Sequence, residues 1–202
     1  MEATRNQPSL AGILGISDQF LLDMSRSAAQ RYHVYPLQMG RKTRWIQAPD
    51  EELKQVQRAL LEKVLYRLPP TRWAHGFVPG RSIVTGAAVH VGRQWVVNLD
   101  IKDFFPSVTR GRVVQCLTPL GVSNQEREII ADLTTRRGVL PQGAPTSPHL
   151  ANLVVRRMDG RLGGLANSHG WNYTRYADDM SFSGDSAPSV LVKSATAIVR
   201  DS

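Results

Sequence analysis

The chain has 202 residues, 42% apolar and 21% charged, with 25 Lys+Arg against 17 Asp+Glu and a single cysteine. Length and composition suit one or two globular domains with a real core, and they exclude a disordered or fibrous chain. The longest apolar run, Leu10–Ile16, falls far short of the roughly 20 residues of a bilayer span, no leader pattern opens the chain, and Cys116 alone excludes a disulfide framework or a multi-cysteine zinc site. A soluble cytoplasmic protein with no membrane partner is expected. The formal charge of +8 points toward a polyanionic partner, most often nucleic acid, without establishing one.

Ser17 is placed to cap a helix over 18–31 that turns Leu21, Met24 and Ala28 inward. Tyr32–Gln38 and Lys42–Ala48 read as two strands about a Met39-Gly40-Arg41 turn. Asp50 caps a helix carrying Leu53, Val56, Leu60, Val64 and Leu68 on one face, with Glu51 and Glu52 at its positive end and Pro69-Pro70 at its stop. Trp73–Ala88 reads as a glycine-bearing loop, followed by an apolar strand over Trp95–Ile101 that runs into Asp100. Ser123 and Glu126 form a capping box for a helix to about Thr135. The segment GVLPQGAPTSP is too rich in Pro and Gly for regular structure. After Pro148 a helix presents Leu150, Leu153, Val154 and Met158 to a core and closes at Gly163-Gly164. Tyr173–Gly184 reads as a hairpin joined at Asp178-Asp179, and a last helix starts near Ser189. There is no internal repeat, and the alternation of strands and helices predicts a mixed α/β chain. Cys116, Trp73 and Trp95 are expected in the core.

Three carboxylates stand out by position. Asp100 ends an apolar strand, where an unpaired charge is costly to desolvate. Asp178 and Asp179 are adjacent and repel unless something cationic lies beside them. A divalent metal answers both problems, because Mg²⁺ prefers carboxylate oxygens and keeps positions open for phosphate. Strands that bring Asp100 beside Asp178-Asp179 would make a two-metal site for in-line phosphoryl or nucleotidyl transfer. An Asp-Asp pair alone also reads as a solvated turn.

The segments NLDIKDFFPS, GVLPQGAPTSPHLANL and YTRYADDMSFSG follow in that order. In them the chain resembles reverse transcriptases, whose palm motifs A, B and C they match over about Tyr32 to Gly184. The stretch AHGFVPGRSIVTGAAVH is similar to the fingers motif and the Asn-Ala-x-x-His element of bacterial retron enzymes. Ala87, Ala88, Val89 and His90 keep part of that element, and Gly86 stands where the family has Asn. Group II intron, diversity-generating and abortive-infection relatives share motifs A to C.

The resemblance implies an α+β right-hand polymerase: a fingers-like region over 1–90 with an N-terminal helix, a palm over 91–202 with an antiparallel sheet and packed helices, and no thumb within the chain. It implies that Asp100, Asp178 and Asp179, with the Ile101 carbonyl, hold two Mg²⁺ ions, for which Mn²⁺ could substitute. Backbone amides around Asp103-Phe104 would hold the triphosphate, and Phe105 would close against the sugar 2′ position to favour dNTPs. Gln142 and Gly143 match positions that contact the incoming nucleotide and template, and Arg44 with Lys42 or Arg41 matches the fingers cations that grip the triphosphate. His75, Arg81 and His90 are candidate RNA contacts. The bland alternatives are core packing for Phe104 and Phe105, strand-edge protection for Arg41, and satisfied structural histidines.

By resemblance the activity is RNA-directed DNA polymerisation that makes RNA-linked DNA on a structured noncoding RNA. The partners implied are that RNA as template and primer, an RNA–DNA hybrid, dNTPs, and an effector protein of phage defence or a separate thumb-bearing chain. The competing readings are a truncated or split, non-catalytic RNA-binding remnant and a group II intron-like reverse transcriptase.

Overall fold

The computed structural model describes residues 9–40 and 42–202; Arg41, the expected turn cation, lies outside them. A short helix α1 (Leu10–Leu14), which the apolar run conceals, precedes α2 (Asp18–Ser27), and Ser17 Oγ caps α2 by accepting the Phe20 N–H. A 3₁₀ turn over Ala28–Gln30 completes the expected helical stretch. Strands β1 (Tyr32–Met39) and β2 (Lys42–Pro49) pair antiparallel from Tyr32 opposite Pro49 to Met39 opposite Lys42. Helix α3 (Glu51–Lys63) starts at Asp50, whose carboxylate accepts the Leu53 N–H at 2.9 Å. It stops before Leu68, and a 3₁₀ turn at Leu65–Arg67 keeps Leu65 and Leu68 buried.

The stretch expected as loop contains α4 (Ile83–Ala87), begun by a Ser82–Thr85 capping box. Strand β3 (Trp95–Asp100) is followed by α5 (Phe104–Ser107), α6 (Arg110–Cys116) and the boxed helix α7 (Asn124–Thr134). The single helix expected after Pro148 is two, α8 (Ser147–Val154) and α9 (Arg156–Ser168). Strands β4 (Asn172–Tyr176) and β5 (Asp179–Gly184) and helix α10 (Ser189–Arg200) complete the α+β chain.

The chain divides into two units, one over Met1–Leu68 and Val108–Ser147, the other over Pro69–Ser107 and Pro148–Ser202. In the first, α1, α2, α3 and α7 bury Leu10, Leu21, Met24, Leu53, Leu60, Ile130 and Leu133. Fully buried Gln57 donates through Nε2 to the Tyr32 hydroxyl and to the Leu133 carbonyl, tying α3 to β1 and α7. On α6, Cys116 is half-buried rather than core.

In the second unit the sheet order is β3-β5-β4, all antiparallel. Central β5 buries Met180 and Phe182, and Phe182 stacks on Tyr173 of β4. Strand β3 pairs on one side only, which leaves Trp95 48% and Val96 54% exposed against the expectation of a buried strand. Of the two tryptophans expected in the core, half-buried Trp73 packs against α9. Gly163 does not close that helix: a Cβ there would lie 2.2 Å from the Trp73 ring, so the missing side chain makes room for the indole. Among the described residues no helix is long and apolar enough to cross a membrane.

The two adjacent glycines should respond oppositely to alanine. Gly163→Ala is expected to cost about 1–3 kcal/mol by overpacking against Trp73. Gly164→Ala, which meets nothing within 4 Å, is expected to gain about 0.5–1 kcal/mol from helix propensity. Urea unfolding of the two variants checks the sign of each change.

Candidate active site

The second unit gathers the three aspartates at one end of its sheet. In the β3–β5 ladder Asp100 stands directly opposite Asp179, and in the β4–β5 ladder Tyr176 stands opposite the same Asp179. The hairpin turn is therefore Ala177-Asp178, one residue earlier than expected, and Asp179 is the first residue of β5. The Ile101 N–H donates to the Asp178 carbonyl at 3.1 Å, joining the turn to the end of β3. Asp100 and Asp179 are exposed and Asp178 is half-buried.

Partial desolvation, reinforced by the negative charges of Asp178 and Asp100, raises the Asp179 pKa above its usual 3.8. Since Asp179 faces water, like-charge repulsion is the part that a cation would relieve. The donors are all oxygen. Among the described residues no three His, Cys, Asp or Glu side chains form a ready-made cage. An open Mg²⁺ site does not need one, because this ion keeps several waters and takes one or two carboxylates plus substrate phosphates. The cross-strand pair and its neighbour fit such a site.

An aromatic group borders the aspartates. Asp103 adopts φ +51°, and its carbonyl accepts the Ser107 N–H at 2.8 Å to open α5. Phe104 is buried, while half-buried Phe105 lies 5.6 Å from it and 6.1 Å from Phe77, centroid to centroid. Phe77 is in turn 6.4 Å from Tyr176. Core packing thus describes Phe104, and Phe105 keeps an accessible edge.

Beneath the turn, Arg175 is fully buried and makes a bidentate pair with Asp159, 2.8 Å on each arm. Its Nη1 donates to the Asn152 side-chain oxygen at 2.9 Å and to the Ala177 carbonyl at 2.8 Å. Burial alone would lower the Arg175 pKa, but hydrogen bonding and the charge of Asp159 outweigh it and raise the value. Gly76 packs against the turn so closely that a Cβ would fall 2.5 Å from the Ala177 nitrogen. Sequence reading misses Arg175, Asp159, Asn152, Gly76 and Phe77. Strand β4 reads Asn-Tyr-Thr-Arg-Tyr, with no aliphatic residue to mark it as buried, so the sequence carries no clear signal of Arg175.

The three candidate RNA contacts each have partners within the fold. His90 is buried, with its ring nitrogens 2.7 Å from the Ser183 and Thr174 hydroxyls. Arg81 donates through Nη1 to the carbonyls of Thr71, Arg72 and Ala74, so that it organises its own loop. His75 bonds Thr85 at 2.9 Å, and burial, with the Arg81 charge, holds its pKa below the usual histidine value. A neutral imidazole is a poor phosphate ligand.

The first unit carries the other candidates. Gln142 accepts the Gln47 N–H at 2.7 Å through its carbonyl, which fixes the Pro/Gly loop against β2. At Gly143, φ is +130° and a Cβ would fall 2.8 Å from Ile46 Cγ2, so glycine is required there. Lys42 and Arg44, both exposed, share the Ile46 face of β2 by strand alternation. The structure thus joins Lys42, Arg44, Gln142 and Gly143 within one unit, and Asp100, Ile101, Asp178 and Asp179 within the other.

The family model for reverse transcriptase (RNA-dependent DNA polymerase) matches residues 38–201. The chain belongs to the reverse transcriptase family. It is 43% identical to the retron Mx65 reverse transcriptase of Myxococcus xanthus over 90% of its own length and 48% of that protein's. Identity to the retron Ec86 reverse transcriptase of Escherichia coli is 35%, over 87% of this chain and 56% of the relative. The retron Mx162 reverse transcriptase of M. xanthus is 44% identical over 69% of this chain and 33% of its own. The chain spans about half the length of the first two, and the likeness to retron enzymes read from the motifs is borne out.

Because the Asp179 pKa is raised in the folded state, its ionised form disfavours folding. That penalty is absent below the usual 3.8 and grows as pH rises through the raised value. In metal-free buffer Asp179→Asn is expected to unfold at a higher temperature than wild type at neutral pH. The advantage should fade as pH falls toward about 4. Thermal unfolding across that range checks it, and equal stability at neutral pH would count against the repulsion.

Proposed function

We propose that this chain is the catalytic portion of an RNA-directed DNA polymerase of retron type. The observation that carries this reading is the placement of Asp100 opposite Asp179, with Asp178 in the adjoining turn, in a chain that the reverse transcriptase family matches. We assign the palm to the region around the three-stranded sheet and the fingers to the region around the β1–β2 hairpin, with the boundary near residue 90 that motif order suggests. Asp100, Asp178 and Asp179, with the Ile101 carbonyl, would hold two Mg²⁺ ions, or Mn²⁺ in their place. When bound, such ions lower the pKa of a primer hydroxyl and stabilise charge on the pyrophosphate leaving group.

The chain's own residues then bind and orient. Arg44 offers a planar fork for bidentate phosphate contact, and Lys42 adds a compact charge. Backbone amides at Asp103 and Phe104 supply neutral donors to the triphosphate. Gln142 and Gly143 form the wall beside the nucleotide and template, with the loop's shape set by the Gly143 approach to β2. Phe105 excludes the 2′-hydroxyl by bulk, supported from behind by Phe104 and Phe77. No protein nucleophile is required.

The proposed partners are a structured noncoding RNA as template and primer, the RNA–DNA hybrid, dNTPs, and an effector protein or a separate thumb-bearing chain. A cytoplasmic setting and a role in phage defence complete the reading. The +8 charge supports a nucleic-acid partner.

Primer extension on an RNA template with dNTPs and Mg²⁺ tests the assignment. Asp178→Ala with Asp179→Ala is expected to lower incorporation by several orders of magnitude, and equal incorporation would refute the site. If wild type and variant are both inactive and bind RNA with strong salt sensitivity, the non-catalytic alternative is favoured. Phe105→Ala is expected to raise rNTP use relative to dNTP use by about tenfold or more, the scale of steric discrimination at a pocket wall. Unchanged selectivity in competition assays would remove Phe105 from that role.

A further inference from the structure

The Arg175 guanidinium does two things at once. One edge, Nε and Nη2, is held by Asp159, and the remaining nitrogen, Nη1, reaches the carbonyl of Ala177 in the turn. The anchor is itself braced, because Asp159 also accepts from the Thr71 hydroxyl at 2.7 Å and the Tyr173 hydroxyl at 2.9 Å. Asn152 accepts from Nη1 and donates to the Gly76 carbonyl at 2.9 Å, next to the glycine that packs on the turn. Ala177 is held at φ +57°, a conformation that a non-glycine residue leaves readily unless its surroundings fix it.

From this geometry we propose that Arg175 is a positioning residue for the reaction, clamping the Ala177 carbonyl so that the turn holds Asp178 and Asp179 in register with Asp100. The proposal rests on the polymerase reading for its consequence in catalysis, and on the Arg175 hydrogen bonds alone for the clamp. Lysine in place of Arg175 keeps a positive charge beside Asp159 but cannot make the bidentate pair and reach Ala177 together. The clamp acts on the Ile101–Asp178 hydrogen bond, a backbone link from the turn to the residue that follows β3. The Ile101 amide therefore reports directly on the turn, with no metal or substrate present.

The test compares amide exchange at Ile101 with exchange at Phe182 in central β5, in metal-free protein, together with Mn²⁺ affinity measured by electron paramagnetic resonance. In Arg175→Lys, Ile101 exchange is expected to rise at least tenfold relative to Phe182, and Mn²⁺ affinity to fall at least fivefold. Tyr173→Phe removes a bond to the same anchor without touching the turn. It should lower the unfolding temperature yet leave both ratios within twofold. Should Arg175→Lys fail to fold, Asn152→Ala keeps the ion pair and is expected to show the same pattern at threefold or more. Ile101 exchange that only keeps pace with Phe182, or unchanged Mn²⁺ affinity in a folded variant, overturns the proposal. Failure of the polymerase reading appears separately, as a wild type that incorporates no dNTP while the exchange ratios stand.

Discussion

The Arg175–Asp159 pair is the constraint around which the second unit is arranged. Both side chains are fully buried, so neither tolerates the loss of the other: a lone buried charge costs several kcal/mol. Their mutual attraction is not in itself a source of great stability, since well-packed apolar residues commonly do as well. What the pair provides is specificity. Asp159 lies on α9 and Arg175 on β4, so the bidentate contact sets the helix against the strand, and Thr71 and Tyr173 fill the remaining acceptor positions of the carboxylate. Strand β4 is also extended by the segment at Trp73–His75, where the Arg175 N–H donates to the Trp73 carbonyl and the Arg175 carbonyl accepts from His75. One residue thus ties a helix, a loop and the β4–β5 hairpin together.

This arrangement explains which parts of the molecule were legible from sequence. Local chemistry was read well: the Ser17 and Asp50 caps and the Ser123–Glu126 box each act within four residues, and all three appear as expected. That the aspartates lie together was legible because a charge at the end of an apolar strand and an adjacent Asp-Asp pair are both anomalous. Non-local reasons were hidden. Gly163 reads as a helix stop until Trp73, ninety positions earlier in the chain, is seen lying over it. His90 and Arg81 read as free cations or ligands until the hydroxyls and carbonyls that occupy them are in place. Strand β3 reads as buried from its apolar residues, yet the sheet order makes it an edge. In each case the deciding partner comes from a distant segment, and a period or a cap carries no trace of it.

The same logic separates residues open to a ligand from those that hold shape. Lys42 and Arg44 are exposed on a hairpin strand, available to a mobile polyanion and inexpensive to solvate. Arg175 has the same side-chain type as Arg44 but is buried against fixed acceptors inside the unit, and Arg81 commits Nη1 to carbonyls of its own loop. Exposure and prior hydrogen bonding, rather than residue type, decide which arginines can bind phosphate.

Backbone strain falls on the same boundary. Among the described residues the non-glycine positions with left-handed φ are Phe77, Asp103, Arg137 and Ala177. Each sits in or beside a segment that carries a candidate site: Asp103 follows Asp100, Ala177 precedes Asp178, Phe77 borders Phe105 and Tyr176, and Arg137 enters the Gln142-Gly143 loop. Such conformations cost about 1–3 kcal/mol each and persist only where surrounding contacts over-determine them. For Ala177 the Nη1 bond to its carbonyl and the close pass of Gly76 at its nitrogen hold the peptide from both sides. A glycine at 177 would relieve the strain, but it would also give the turn the freedom that Arg175 and Gly76 are placed to remove. A strained alanine held by a buried ion pair therefore presents two repelling carboxylates in a fixed direction before any cation arrives, and the energy of binding need not be used to organise them.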